Sequence, residues 1–167
     1  MAEMIRAASP VDAQAIAALN RAAFDGEDEV GIVERLRRDG LVAVELIAEQ
    51  GGAISGHILL SWLPTMLDGR MVKALALAPM AVRPVLQKQG IGGRLIAAAL
   101  DEARAAGAAA VIVLGHPGYY PRFGFSAALA QNLASPFSGE AFMALELMPG
   151  ALAGKQGSVS YPSAFGL

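Results

Sequence analysis

A glycine-rich run, Gln87-Lys88-Gln89-Gly90-Ile91-Gly92-Gly93, is where residue types and spacing best suit chemistry in this chain. It follows an apolar, strand-like segment at 74–82 and opens an alanine-rich helix. Glycines at such a junction let the backbone turn tightly with no side chain in the way, so several N–H groups can converge on one point. The positive end of the helix dipole faces the same point, which suits an anion, and best of all a phosphate. Two familiar phosphate motifs are excluded. A dinucleotide fingerprint needs a third glycine where this chain has Leu95, and a P-loop needs Gly-Lys followed by Ser or Thr, a triplet the chain lacks. What remains is Gln-x-x-Gly-x-Gly, preceded by Ala81-Val82-Arg83-Pro84.

Other groups capable of chemistry are few. There is no cysteine, which removes thiolate nucleophiles and a disulfide framework. Tyr120-Pro121-Arg122-Phe123-Gly124-Phe125 offers a phenol that reads either as an aromatic anchor or as a proton donor, while Tyr119 reads as packing. His57 sits in an apolar strand-like run and reads first as a satisfied core or surface histidine; His116 lies in the loop leading to Tyr120. Glu27, Asp28 and Glu29 read as a solvated helix start or as the lining of an acceptor groove. Lys88 and Arg94 either screen a phosphate or belong to a solvated face.

The Gln-x-x-Gly-x-Gly run resembles the acyl-CoA-binding motif of the GNAT superfamily of N-acyltransferases, and the block from Tyr120 resembles the family's Tyr-x-x-x-Gly-Phe signature. The resemblance implies acetyl-CoA as acyl donor, with its pyrophosphate over Gln87, Lys88, Gln89, Gly90, Ile91, Gly92, Gly93 and Arg94. It implies that the backbone of Met80, Ala81 and Val82 holds the pantetheine arm, and that Tyr120 is the general acid beside the sulfur. The implied function is transfer of an acetyl group from acetyl-CoA to a primary amine of a small molecule or protein, without a metal. The family is often dimeric, so a homodimer is among the assemblies implied. The strings Gly115-His116-Pro117-Gly118-Tyr119-Tyr120 and Ala141-Phe142-Met143-Ala144-Leu145-Glu146-Leu147 are similar to those of a group of small predicted acetyltransferases. Two departures stand out. The asparagine that often accompanies the tyrosine is absent, and no Asp or Glu occurs between Met71 and Val82, where many relatives keep a general base. The base is therefore left among His57, His116, Glu27 and water. Those departures favour an alternative, a non-catalytic acyl-CoA sensor or interaction module; a phosphate-binding α/β domain unrelated to acyl transfer is a third reading.

The elements that must position these groups follow from periodicity. Residues 3–8 read as a strand. Ser9-Pro10-Val11-Asp12 starts a helix, with Ser9 as N-cap and Pro10 at the first position, and Ile16, Leu19 and Ala23 continue its apolar face. A second helix runs through Val33 and Leu36 to about Arg38. Strands at 41–49 and 53–63 join at Gln50-Gly51-Gly52, and a third strand returns at 71–82. Pro79 there cannot donate a ladder hydrogen bond, so it marks an edge, a bulge or a splayed region. The motif helix spans 92–106, the buried strand 109–115, and a short helix 119–123. A strand is expected from Phe125 and the last one at 141–148; Tyr161 and Phe165 suggest a tail that packs back on the body.

The expected fold is therefore α/β: one domain over 1–167, with a mixed, mostly antiparallel central sheet, flanking helices and a parallel β-α-β unit, the resemblance covering roughly 3–148. At 167 residues such a domain buries a sizeable core. A net charge of -2 and a pI near 5.7 give no basic field for nucleic acid or anionic membrane. The hydrophobic content of 54% raises the question of a span, but Gly51, Gly52, Gly56, His57 and Pro64 break the uncharged run at 50–67, which reads as a hairpin. The N-terminus lacks a signal-peptide pattern, so the expectation is a soluble cytoplasmic protein.

Overall fold

A computed structural model describes residues 2–167. Strand β1 (Glu3–Ala7) is followed by helices α1 (Ala13–Phe24) and α2 (Asp28–Arg38) and by long strands β2 (Val42–Gln50), β3 (Ala53–Leu67) and β4 (Arg70–Val82). Then come α3 (Ile91–Ala105), β5 (Ala110–Leu114), α4 (Ala127–Ala130), β6 (Leu133–Ala134), β7 (Phe142–Glu146) and β8 (Gly157–Val159). They build one 8-stranded sheet ordered β1-β2-β3-β4-β5-β7, with β8 beside β3 and β6 beside β8. Among the described residues only β4–β5 and β6–β8 are parallel. The mixed, mostly antiparallel sheet with one parallel β4-α3-β5 crossover is the one the sequence leads us to expect.

The sheet has two covered faces, each dictated by spacing. In α3, Ile91, Leu95, Ile96, Ala99, Leu100 and Ala103 fall on one stripe and are buried. They pack on Ile58, Leu60, Leu75, Leu77, Val111 and Val113, the alternate residues of β3, β4 and β5. Each such Leu or Ile contributes roughly 1.5–3 kcal/mol by burial. Gly56 makes the close approach possible, because a β-carbon there would lie 2.8 Å from Leu95 Cδ1. On the opposite face α1 buries Ile16 and Leu19 against Ile47 and Ala81, and α2 buries Val33 and Leu36 against Leu59. The start of α1 is braced as its residues suggest: the Ser9 amide and hydroxyl donate to Asp12 Oδ2 at 2.8 and 3.1 Å, and the Arg6 guanidinium grips the same carboxylate.

Three expectations are corrected. β3 runs on through Pro64 to Leu67 and turns at Asp68-Gly69, both with positive φ (50° and 79°), before β4 begins. Asp-Gly is a strong hairpin signal in its own right. No strand starts at Phe125. Ser126 makes an isolated bridge to Ala144, and its hydroxyl caps α4 by accepting from the Ala128 amide at 3.1 Å. The strand at 141–148 is shorter and is not the last: β8 follows and pairs with β3 at Thr65–Leu67. Gly157 permits that pairing, because a β-carbon there would lie 2.5 Å from the Met66 carbonyl oxygen. The tail does pack back. Tyr161 stands edge-on between Phe137 and Phe165 at 5.3 and 5.4 Å, and Arg35 Nε donates to the Ala164 carbonyl at 2.9 Å. Among the described residues no helix is long and apolar enough to cross a membrane.

Candidate active site

The centre of the site is a fork in the sheet. β4 and β5 pair only at Ala74↔Ala110, Leu75↔Val111 and Ala76↔Ile112. Beyond that point β5 stays with β7 as far as Leu114↔Phe142, while β4 follows β3. The register against β3 passes from Leu60↔Leu77 to Ile58↔Met80, so β4 carries one extra residue at Ala78-Pro79. This is the bulge and the splay that a mid-strand proline suggests. Further along, the Arg83 amide donates to Ser55 at 2.8 Å. Because antiparallel pairs alternate, Ala81 then shares its backbone bonds with His57, and Met80 and Val82 turn their N–H and C=O groups to the fork. Of the three strand residues named from sequence, Met80 and Val82 have backbone groups to offer. Ala81 directs its backbone at β3 and its side chain into the α1 face.

After Val82 a 3-10 turn, Pro84–Leu86, leads into the glycine-rich loop. Gln87 Nε2 donates to the Val82 carbonyl at 3.1 Å and ties loop to strand. Lys88 and Gly90 adopt positive φ (65° and 86°), which folds the loop into a concave run of amides ahead of α3. Gln89 accepts at its carbonyl from Arg94 Nη1 at 3.4 Å. The Arg94 guanidinium is held by Glu3 at 2.6 and 2.8 Å, so Arg94 braces the loop from β1. Ile91 anchors the first turn of α3 in the core at 2% exposure. Gly92 and Gly93 lie against aromatic side chains. A β-carbon on Gly92 would lie 2.9 Å from the Tyr119 hydroxyl and 3.4 Å from Met80 Cε, and one on Gly93 would touch the Phe123 ring at 3.4 Å. The loop can therefore present N–H groups to an anion, backed by the dipole of a 15-residue helix.

Across the fork, the 3-10 turn Tyr120–Phe123 follows β5. Its entry is fixed by the His116 carbonyl, which accepts from the Tyr119 and Tyr120 amides at 3.0 and 3.3 Å. Tyr120 is buried, edge-on to Tyr119 and Phe125 with centroids 5.2 and 5.7 Å apart. Its ring lies over Gly115, where a β-carbon would overlap it. Burial pushes the Tyr120 phenol up to about 12, so it is a neutral hydrogen-bond donor throughout the physiological range. Tyr119 is half-buried, with the Arg122 guanidinium 5.5 Å above its ring.

The base candidates separate clearly. His57 is fully buried on the α1 face. Asn20 Nδ2 donates to the Ile16 carbonyl at 3.0 Å, which identifies that atom as the amide nitrogen, and it also meets His57 Nδ1 at 3.2 Å. Nδ1 must therefore accept, so Nε2 carries the hydrogen and donates to Glu45 Oε2 at 2.8 Å. Arg37 closes the chain on Glu45. Burial raises the Glu45 carboxyl, but the hydrogen bonds from His57 and Arg37 outweigh it and leave the carboxyl below its ordinary value. Both nitrogens of His57 are committed, and no lone pair is open to a substrate. Glu27 is exposed and paired with Arg21, which also restrains it electrostatically. Asp28 and Glu29 occupy the first turn of α2. His116 remains as an exposed loop residue at the end of β5. No group of three His, Asp or Glu side chains among the described residues could hold a metal. Sequence reasoning missed Asn20, Glu45 and Gly115. Glycine ending an apolar run is a weak signal, and nothing local links Asn20 to His57.

Comparison with known proteins gives this geometry a setting. Residues 4–128 match the acetyltransferase (GNAT) domain family. The chain is 34% identical over 165 residues to "Uncharacterized N-acetyltransferase YhbS" of Escherichia coli K12, covering 97% of this chain and 98% of that protein. The crystal structure of Escherichia coli YhbS in complex with CoA superposes with a TM-score of 0.89 at 34% identity, over 99% of this chain and 92% of that one. A GNAT family acetyltransferase from Brucella melitensis in complex with acetyl-CoA superposes with a TM-score of 0.81 at 35% identity, over 98% of each chain.

Proposed function

This chain belongs to the GNAT acetyltransferase family, and on that premise we propose that it moves an acetyl group from acetyl-CoA to a primary amine of a small molecule or protein. The observation that carries the reading is the fork. It frees the Met80 backbone and the Val82 amide beside a loop whose amides and helix dipole suit a pyrophosphate. Two relatives about one-third identical were crystallised with CoA and acetyl-CoA, which supports the same donor here. Pantetheine lies along the fork, hydrogen-bonded to Met80 and Val82, and Gln87, Lys88, Gln89, Gly90, Ile91, Gly92 and Gly93 cradle the pyrophosphate.

The chemistry follows from what these groups can supply. The amine nitrogen attacks the thioester carbon, the carbonyl electrons move to oxygen, and the C–S bond then breaks to release the CoA thiolate. A fork-facing N–H of β4 donates to the oxyanion, a contribution of roughly 3 kcal/mol to the barrier. Tyr120 serves the leaving thiolate as a hydrogen-bond donor. Its phenol, at about 12, holds its proton more tightly than a thiol of pKa ~8.5, so the thiolate takes its final proton from solvent. The substrate ammonium loses one proton to water before it attacks, and the nitrogen sheds a second to water as the C–S bond breaks. His116 is an exposed loop residue at the end of β5 that could assist.

An amine and peptide panel with acetyl-CoA, read by mass spectrometry, tests the reading. Acetylated product with stoichiometric thiol release supports it. Tight CoA binding with no turnover on any amine replaces it with the sensor reading, which the absence of a carboxylate between Met71 and Val82 favours.

A further inference from the structure

The tips of Met80 and Tyr119 meet at one point, the place a β-carbon on Gly92 would occupy, with the Tyr119 hydroxyl the nearer at 2.9 Å. Gly92 is in the first turn of α3, and Met80 is in the segment of β4 whose backbone faces the fork. A coenzyme running from that segment to the amides ahead of α3 would pass beside this point. Tyr119 is held there from three sides. Its ring stands edge-on to Tyr120 and Phe123, both at 5.2 Å, and Arg122 covers its face. Burial raises the Tyr119 phenol above its ordinary value against the opposing effect of Arg122, so the hydroxyl keeps its hydrogen.

We propose that Tyr119 is a coenzyme-positioning residue whose hydroxyl donates a hydrogen bond to a phosphate oxygen of CoA at the first turn of α3. The proposal rests on the coenzyme reading above and extends it to a residue outside the glycine motif and outside the Tyr-x-x-x-Gly-Phe block. It also assigns the two adjacent tyrosines different tasks, Tyr119 to the phosphate end and Tyr120 to the sulfur end. The Arg122 guanidinium over the Tyr119 ring brings a positive charge next to that ring. The missing β-carbon of Gly92 then has two uses, exposing helix amides and leaving room for the Tyr119 hydroxyl.

Tyr119→Phe tests this, since it keeps the ring contacts with Tyr120 and Phe123 and removes only the hydroxyl. A hydrogen bond to a charged phosphate predicts a loss of ~10-fold or more in CoA affinity by titration calorimetry. The loss should fall on the KM for acetyl-CoA and not on kcat. S-acetylpantetheine, which lacks the pyrophosphate, should be used equally well by variant and wild type. CoA binding by Tyr119→Phe as tight as wild type overturns the proposal, and so does an equal loss with S-acetylpantetheine. If the wild-type protein binds no CoA, the coenzyme reading itself falls and this inference falls with it.

Discussion

The Tyr120 ring lies directly over the α-carbon of Gly115, so closely that a β-carbon there would overlap Cε2 and lie 2.7 Å from Cδ2. The end of β5 thus acts as a floor that sets the height of the phenol. Gly115→Ala should displace the ring and cost about 1–3 kcal/mol through overpacking. Chemical denaturation gives the stability. The matching functional result is a fall in kcat larger than the fall in stability explains.

Tyr120→Phe keeps that packing and removes only the hydroxyl. Acetyl transfer should drop by ~10- to 100-fold, the loss of one hydrogen bond to the charged leaving thiolate. A variant that matches wild type at every pH makes Tyr120 an anchor and nothing more.

The raised phenols also predict an alkaline limit to stability. Burial holds Tyr120 and Tyr161 each at about 12, above the ordinary ~10 of an unfolded chain. Between those values the folded state binds more protons than the unfolded one, so stability falls as pH rises. Unfolding free energy should be insensitive to these groups below pH ~10 and decline between ~10 and ~12. Tyr120→Phe should flatten part of that decline in urea titrations at graded pH.

On the acid side, the Arg6 guanidinium and the Ser9 amide hold the Asp12 carboxyl well below the usual carboxylate range. That stabilisation is complete above the unfolded value of ~3.9 and fades as pH falls below it. Asp12→Asn should be less stable than wild type at neutral pH and show a shallower loss below pH ~4.

The chain Asn20–His57–Glu45–Arg37 should matter to folding and not to proton transfer. Glu45→Ala leaves a buried histidine and a part-exposed arginine without their shared partner and should cost about 1–3 kcal/mol. His57→Gln should lower the melting temperature while the pH–rate profile of the surviving activity keeps the wild-type shape. A new limb in that profile would return His57 to the list of bases.

Much of this fold is local, and local features are visible along the chain. The glycine run before α3, the buried stripe Ile91-Leu95-Ala99-Ala103, Pro79 as a break in its strand and the aromatic tail all follow from backbone freedom or from periods of 2 and 3.6. The Asp68-Gly69 turn belongs to the same class, and its residues suffice to place the hairpin.

Other features depend on distant partners. Which β4 amides face the fork is set by a one-residue bulge and the register with β3. β6 and β8, of 2 and 3 residues, are too short for a period and exist because β3 offers an edge to β8 and β8 offers one to β6. His57 reads in sequence as a satisfied core or surface histidine, but what satisfies it is visible only once α1 brings Asn20, 37 positions away, to its Nδ1. The two tyrosines are neighbours in sequence and become unlike only when β5 carries Gly115 beneath one and α3 carries Gly92 to the other. Residue type fixed which chemistry was available; long-range packing fixed which atoms were left free to perform it.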